Sequence, residues 1–338
     1  MGMKWLITGG CGFLGTSLVR NLVKEGGHTV RLIDNLSVGT RDDLAAACDF
    51  LELSQANLQE KMDGADSERC QLVVGDILDE KLAHQVVRGA DVIVHLAANT
   101  GVAPSVEDPR MDCITNVQGT LNYLEAARKN NVKRFVFASS GAPVGEVDPP
   151  IHEELPAHPV SPYGASKLAG EGYCSAYYRT YGIGTVALRF GNVYGPQSAH
   201  KSSVVAKFIR RAIAMKSLEV YGNGRQTRDF IYIDDLVDAI RRAASTEGVG
   251  GEVFQIATNS ETTLNELLDA LLLILEQKGI KSPHVVNKPT RLGDVMRNYS
   301  DITKAREMLG WNVETDLVSG LEKTIDWFLS QERGEVAD

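Results

Sequence analysis

The sequence predicts an α/β protein: a doubly wound parallel sheet followed by a smaller mixed C-terminal substrate lobe. Three observations carry that expectation. Short apolar runs alternate with amphipathic stretches through the first half of the chain. Glycines cluster between the first apolar run and the first helical pattern. Beyond about residue 190 the alternation gives way to turn formers and less regular spacing.

The elements follow in order. Lys4–Thr8 reads as a buried strand and Leu14–Lys24 as a helix. Thr29–Asp34, Gln71–Val74, Val92–His95 and Arg134–Ser139 read as further strands, with helical patterns at Lys81–Arg88 and Thr120–Lys129 between them. Strands alternating with helices imply βαβ units and a sheet covered on both faces. Residues 41–70 are polar and read as an irregular excursion. Asn192–Gln197 is loop chemistry. Val204–Met215 and Leu264–Gln277 read as helices, and Val253–Ala257 as a strand. The expected organisation is a cofactor-binding domain over 1–190, with a returning segment near 229–257, and a substrate lobe from 191–228 and 258–332.

Composition narrows the function. The chain has 338 residues, 43% hydrophobic and 23% charged, as an ordinary globular protein of one large and one smaller domain would. No run approaches about 18 apolar residues, so no membrane span is expected. Met3–Thr8 leads straight into glycines without a signal-peptide layout. A net charge of −9 argues against a nucleic-acid partner. Five scattered cysteines (Cys11, Cys48, Cys70, Cys113 and Cys174) and seven scattered histidines form no C-x-x-C or H-x-x-x-H. Reduced thiols, a cytoplasmic location and no metal site are expected.

Two constellations carry chemistry. Thr8-Gly9-Gly10-Cys11-Gly12-Phe13-Leu14-Gly15 sits between a strand and a helix. Glycines there let the backbone turn sharply and approach a pyrophosphate at the positive end of the helix. The G-x-x-G-x-x-G spacing of Gly9, Gly12 and Gly15 differs from the more usual G-x-G-x-x-G. Asp34 ends the next strand, where a carboxylate can hold ribose hydroxyls and repel a 2′-phosphate, so NAD is the expected cofactor. Asp76 follows a later strand; an adenine contact and a helix cap before Leu78 are both open readings.

Tyr163 and Lys167 stand four apart and share a face if their segment is helical. A free phenol, with a pKa of about 10, needs help to act as a base. A nearby ammonium and a cationic nicotinamide ring would supply it. Ser140, closing a strand about two dozen residues earlier, can share the proton of a reacting alcohol. Taken singly, each is also what a packed Tyr, a solvated Lys or a strand-end Ser would look like.

The order of Thr8–Gly15, Asp34-Asn35, His95–Ala98, Asn116, Ser139-Ser140, Tyr163–Lys167 and Arg228-Asp229 resembles the extended short-chain dehydrogenase/reductases, over nearly the whole chain. The likeness is greatest to the NAD-dependent epimerase/dehydratase family and its UDP-hexose 4-epimerases. The resemblance implies a Rossmann domain with a small C-terminal lobe, a homodimer, NAD as cofactor and a UDP-sugar substrate. It implies cofactor contacts at Gly9, Gly12, Phe13, Leu14, Gly15, Asp34, Asn35, Asp76, Ile77, Ala97, Ala98 and Asn116. It implies Ser140, Tyr163 and Lys167 as the catalytic set, with Tyr163 and Lys167 also on the cofactor. Asn192, Arg228, Arg291 and Asp294 are implied on the sugar nucleotide, where guanidinium–phosphate pairing makes physical sense.

The departures bear on the reaction. The family's V-Y-G after the catalytic Ser is replaced by Gly141-Ala142-Pro143-Val144-Gly145. Its 4,6-dehydratases and UDP-glucuronate decarboxylases carry acidic residues directly after that position; here stand Gly141 and Ala142, and the nearest acid is Glu146. Epimerisation through a 4-keto sugar needs none of them. Elimination or decarboxylation within the family is the alternative, and a non-catalytic NAD-binding scaffold is a third reading. Asn298 falls where 4-epimerases vary in side-chain bulk, which leaves UDP-glucose, UDP-N-acetylhexosamine and UDP-glucuronate all open.

Overall fold

The computed structural model describes residues 2–55, 58, 70–199, 203–290 and 295–335. The first half runs β1 (Lys4–Thr8), α1 (Phe13–Glu25), β2 (Thr29–Asp34), α2 (Arg41–Ala45), β3 (Phe50–Leu53), β4 (Cys70–Val74), α3 (Glu80–Val86) and β5 (Val92–His95). Helices α4 (Val102–Glu107) and α5 (Pro109–Cys113), a π-helical turn over Ile114–Gln118, and α6 (Gly119–Lys129) lead to β6 (Arg134–Ser140), α7 (Pro162–Tyr181) and β7 (Gly184–Phe190). Then come β8 (Asn192–Tyr194), α8 (Val204–Ile213), β9 (Leu218–Tyr221), β10 (Thr227–Arg228), β11 (Phe230–Tyr232), α9 (Ile233–Ser245) and β12 (Glu252–Ile256). The chain closes with β13 (Thr262–Thr263), α10 (Leu264–Gln277), β14 (Val285–Lys288), α11 (Thr303–Leu309) and α12 (Leu317–Glu335).

Eight strands form one sheet in the order β12-β7-β6-β5-β1-β2-β4-β3, with every pairing parallel. Its apolar strands are buried on both faces. Trp5 and Ile7 point into one core with Leu18, Leu22 and Leu236; Leu6, Ile33 and Ile93 point into another with Tyr123, Leu124 and Phe135. The strand order reverses between β1 and β5, so a crevice opens at their C-terminal ends, where open α/β sheets bind ligands.

Three features differ from the sequence reading, one of them at Asn192–Gln197, where the first three residues of the expected loop form β8 by pairing with β11. The 41–70 stretch is not wholly irregular: α2 starts on a Thr40–Asp43 capping box, and β3 adds an edge strand beside β4. A four-residue, half-exposed strand leaves too short an alternation to detect. Strand β7, absent from that reading, is buried at Thr185–Arg189 and pairs β6 along its whole length. Beyond it β12 joins the same sheet, with Val253 opposite Ala187. The remaining strands make three two-stranded sheets, β8–β11, β9–β14 and β10–β13. No helix among the described residues is long and apolar enough to cross a membrane, and none of their His, Cys, Asp or Glu clusters could hold a metal.

Asp229 locks this second half to the main sheet. Fully buried, it accepts hydrogen bonds from Thr258 N at 2.7 Å, Thr258 Oγ1 at 2.5 Å, Asn259 N at 3.1 Å and Ser300 N at 3.2 Å. Truncation to Ala would leave three amide donors without their acceptor inside the protein, so Asp229→Ala is expected to cost about 3 kcal/mol. A urea unfolding series read by circular dichroism checks this; an unmoved midpoint would contradict it.

Candidate active site

The glycine turn after β1 is shaped by contacts that no side chain would permit. Gly9 adopts φ +69°, and a Cβ there would lie 2.9 Å from Ala97 N. A Cβ on Gly15 would lie 2.4 Å from the Gly9 carbonyl oxygen, and one on Gly39 would lie 2.1 Å from the Cys11 carbonyl oxygen. Helix α1 starts at Gly12 without a capping side chain, so its positive end is open towards the crevice. The Thr8 hydroxyl ties β1 to β5: it accepts from Leu96 N and Ala97 N, both at 3.1 Å, and lies 2.9 Å from His95 Nδ1. With both amides donating to it, the hydroxyl proton points to Nδ1, which assigns the ring proton to Nε2.

Asp34, at the end of β2, accepts from Cys11 N at 2.9 Å and Leu36 N at 2.8 Å. Burial raises its pKa against the lowering effect of those two amides. Asn35 donates to Asp76 at 3.2 Å, which brings the ends of β2 and β4 together at one rim. Asp76 also accepts from Leu78 N at 2.9 Å, but the cap of α3 is Asp79, so the helix-cap reading of Asp76 fails: Asp76 lies three residues before that cap. Ile77 is buried against α6. Ala97 and Ala98, both half-buried, follow β5 directly above the glycine turn. This cradle suits a dinucleotide: it lacks Cβ atoms where a pyrophosphate must approach, and it offers a carboxylate one strand away.

The second constellation stands on β6 and α7. Ser161 caps α7 by accepting from Gly164 N at 3.1 Å, and Pro162 takes the first helical position. Tyr163 therefore sits in the first turn, at the positive end of the helix. A Cβ on Gly164 would lie 2.6 Å from the Ala142 carbonyl oxygen, so the loop after Ser140 rests directly on that turn. One turn on, Lys167 is buried at 4% exposure and donates to Ala138 O at 2.8 Å. Its Nζ lies 5.0 Å from the Phe137 ring centre and 5.8 Å from that of Tyr163.

Burial dominates the titration of both groups. It pulls Lys167 down to about 8, against the nearby charges of Asp112 and Glu171. It pushes Tyr163 up to about 12, opposed by a hydrogen bond with Ser140 and reinforced by Asp112. In the protein alone desolvation outweighs the Ser140 hydrogen bond; the expected activation of the phenol called for a cationic nicotinamide as well as the ammonium. His95, stacked near Phe137, is held down to about 3 by burial and the neighbouring Lys167.

Asn116 lies on the π-helical turn, a form frequent at functional sites. Its side chain bonds to protein: Oδ1 accepts from Asn99 N at 2.7 Å, and Nδ2 lies 3.0 Å from Asn99 O, Asp112 Oδ1 and Ser166 Oγ. Asn192 is exposed at the start of β8. Arg228 donates to the carbonyls of Thr227 and Val295, both at 2.7 Å. Arg291 and Asp294 lie outside the described residues. Beside that segment, Tyr221, Gly222, Gln226, Lys288, Thr290 and Met296 line an open cavity of about 390 Å³.

Several residues around the pair escaped the sequence reading. Glu171 pairs Arg189 through two 2.8 Å bonds and accepts from Ser139 Oγ at 2.5 Å, all buried behind Lys167. Asp112 is buried beside Asn116. Glu171 was detectable as the next residue on the Tyr163–Lys167 face; Asp112 carried no signal of its own.

A phenol and a buried ammonium above a dinucleotide-type turn can move a proton while hydride leaves the same carbon. That places the protein in the class of NAD-dependent enzymes working at an alcohol carbon. The NAD dependent epimerase/dehydratase family matches residues 5–257, and the chain belongs to that family. UDP-glucose 4-epimerase of Mycolicibacterium smegmatis is 37% identical, covering 96% of this chain and 98% of its own. The structure of Thermotoga maritima UDP-glucose 4-epimerase with UDP-glucose superposes with a TM-score of 0.85 at 34% identity, covering 98% of this chain and all of that one. A dTDP-glucose 4,6-dehydratase from Streptomyces venezuelae, with NAD bound, gives 0.83 at 31% identity, with 98% of both chains covered.

The crowding at Gly15 makes a direct test. Gly15→Ala is expected to lower NAD affinity about tenfold, since overpacking of one methyl typically costs about 1–3 kcal/mol. Calorimetric titration of the cofactor-stripped protein reads it, and unchanged affinity would refute the close-approach argument.

Proposed function

We propose that this protein interconverts the C4 epimers of a UDP-sugar. The observation that carries the proposal is the Ser140–Tyr163–Lys167 set with no acid in the two positions after Ser140. Gly141 and Ala142 stand where dehydration or decarboxylation within the family would need a proton donor or acceptor, and a Cβ on Gly141 would meet nothing within 4 Å. The likeness to UDP-glucose 4-epimerases supports the substrate class. The likeness to a 4,6-dehydratase keeps elimination as the reading to test against.

In this reading Gly9, Gly12, Phe13, Leu14 and Gly15 hold the pyrophosphate of NAD, and Asp34, Asn35, Asp76 and Ile77 hold the adenosine. Ala97, Ala98 and Asn116 shape the crevice wall. When bound, NAD accepts hydride from the sugar and returns it. Tyr163 takes the C4 hydroxyl proton, and Ser140 steadies the same oxygen. Lys167 holds the nicotinamide ribose and keeps a positive charge near the phenol. The 4-keto sugar turns within the pocket so that the opposite face of C4 meets the returning hydride, and Tyr163 gives the proton back to the C4 oxygen. Asn192, Arg228, Arg291 and Asp294 hold the sugar nucleotide; the cavity beside Tyr221 takes its base.

Panels of UDP-glucose, UDP-N-acetylglucosamine and UDP-glucuronate, followed by NMR in deuterated water, test this reading. A C4 epimer without deuterium at C4 and without net NADH is the expected outcome. A 4-keto-6-deoxy sugar would select elimination instead. Tyr163→Phe is expected to lose about 10³-fold in turnover while retaining NAD.

The pH profile follows from the same pair. Tyr163 must be ionised to act as a base, so activity rises through the phenol's pKa in the NAD complex. Lys167 must be protonated, so activity falls as it loses its proton, with an alkaline limb near pH 8. Initial rates across pH would show a bell; a profile flat through pH 10 would oppose the role given to Lys167.

A further inference from the structure

We propose that Asp112 is a positioning residue whose buried negative charge balances Lys167 across the α5–α7 contact and sets where the catalytic pair titrates. This rests on the epimerase reading only in so far as Tyr163 and Lys167 are the working pair.

The geometry is that of a buried anion tied to the catalytic helix. Asp112 is 1% exposed, on α5. Its Oδ1 accepts from Asn116 Nδ2 at 3.0 Å, and the same Nδ2 lies 3.0 Å from Ser166 Oγ, which donates to Tyr163 O at 3.1 Å. A chain of hydrogen bonds therefore runs from Asp112 to the first turn of α7. Its Oδ2 has no hydrogen-bonding partner among the described residues. A carboxylate so placed is costly unless a cation nearby offsets it.

Among the described residues the charges facing this region leave one buried cation for that role; Arg110, on α5 itself, is exposed. On α7 stand Tyr163, Lys167, Glu171 and Cys174; on β5 stands His95; on β7 stands Arg189. Arg189 is matched by Glu171 in a two-bond pair. His95 is neutral. Among the described residues Lys167 has only a backbone carbonyl, Ala138 O, as its hydrogen-bonding partner, and Asp112 is the acid whose charge favours its protonated form most. The same charge disfavours the phenolate of Tyr163. Asp112 thus keeps the buried lysine charged and delays ionisation of the tyrosine.

Removing that charge must move both groups the same way. Asp112→Asn keeps the size of the side chain and the Oδ1 acceptor for Asn116. It is expected to shift the acid and the alkaline limbs of the pH–rate profile down by about one unit each. Activity then rises on the acid side and falls on the alkaline side. Asp112→Glu, which keeps the charge, should leave both limbs in place whatever its height. A packing defect would lower the bell without moving it, and unmoved limbs in Asp112→Asn overturn the proposal. Phenolate absorbance of the NAD-bound protein, taken as the difference from Tyr163→Phe, reads the Tyr163 limb without turnover. Failure of the epimerase reading would therefore leave this test intact. Should Asp112→Asn not fold, Asp112→Ser removes the same charge and is read by the same two measurements; unmoved limbs there likewise overturn the proposal.

Discussion

The structure turns on the burial of one ammonium. Lys167 has almost no contact with water, and its Nζ is held by a strand carbonyl above an aromatic ring. A desolvated cation is tolerable only in a prepared setting. The setting is visible on every side: β6 supplies the carbonyl, Glu171 is quieted by Arg189 so that it does not collapse onto the lysine, and the π-helical turn brings Asn116 across to α7. Helix α7 is less a carrier of two side chains than one wall of a small polar chamber inside an apolar core.

The sheet explains why the chamber meets the glycine turn. β1, β5 and β6 are neighbours and parallel, so their C-terminal ends share one rim. Glycine at 9 and 15 lets the turn fold onto the end of β5, and the Thr8 hydroxyl fastens the two strands together there. The glycine turn and the Tyr163–Lys167 pair are thus set by one stack of strands. The second half is joined to that stack by β12 and by the buried carboxylate of Asp229.

Much of this was legible in the sequence. Lys4–Thr8, Thr29–Asp34 and Arg134–Ser139 are buried apolar runs, and such runs announce strands. The glycine turn, Asp34, Ser140, Tyr163 and Lys167 are separated by whole elements, so their order survives in one dimension. What stayed hidden depends on three-dimensional contact. β3 is four half-exposed residues whose partner lies beyond a long connection. Asp112 looks like an acid in the first turn of a short helix, and only its burial beside Asn116 sets it apart. The cost of burying Tyr163 and Lys167 was hidden too, because four residues of separation say nothing about the water that two side chains lose.

His95 carries a further consequence. Histidine is the side chain that ordinarily reports solution acidity near neutrality. Here the ring is sealed among Tyr123, Phe135 and Phe137, and the Thr8 hydroxyl fills one nitrogen. The strand end that faces the crevice is thereby insulated: its charge is the same in weak acid as in weak base. The chamber around Lys167 hears the solvent through its own two working groups, and the wall behind them stays silent.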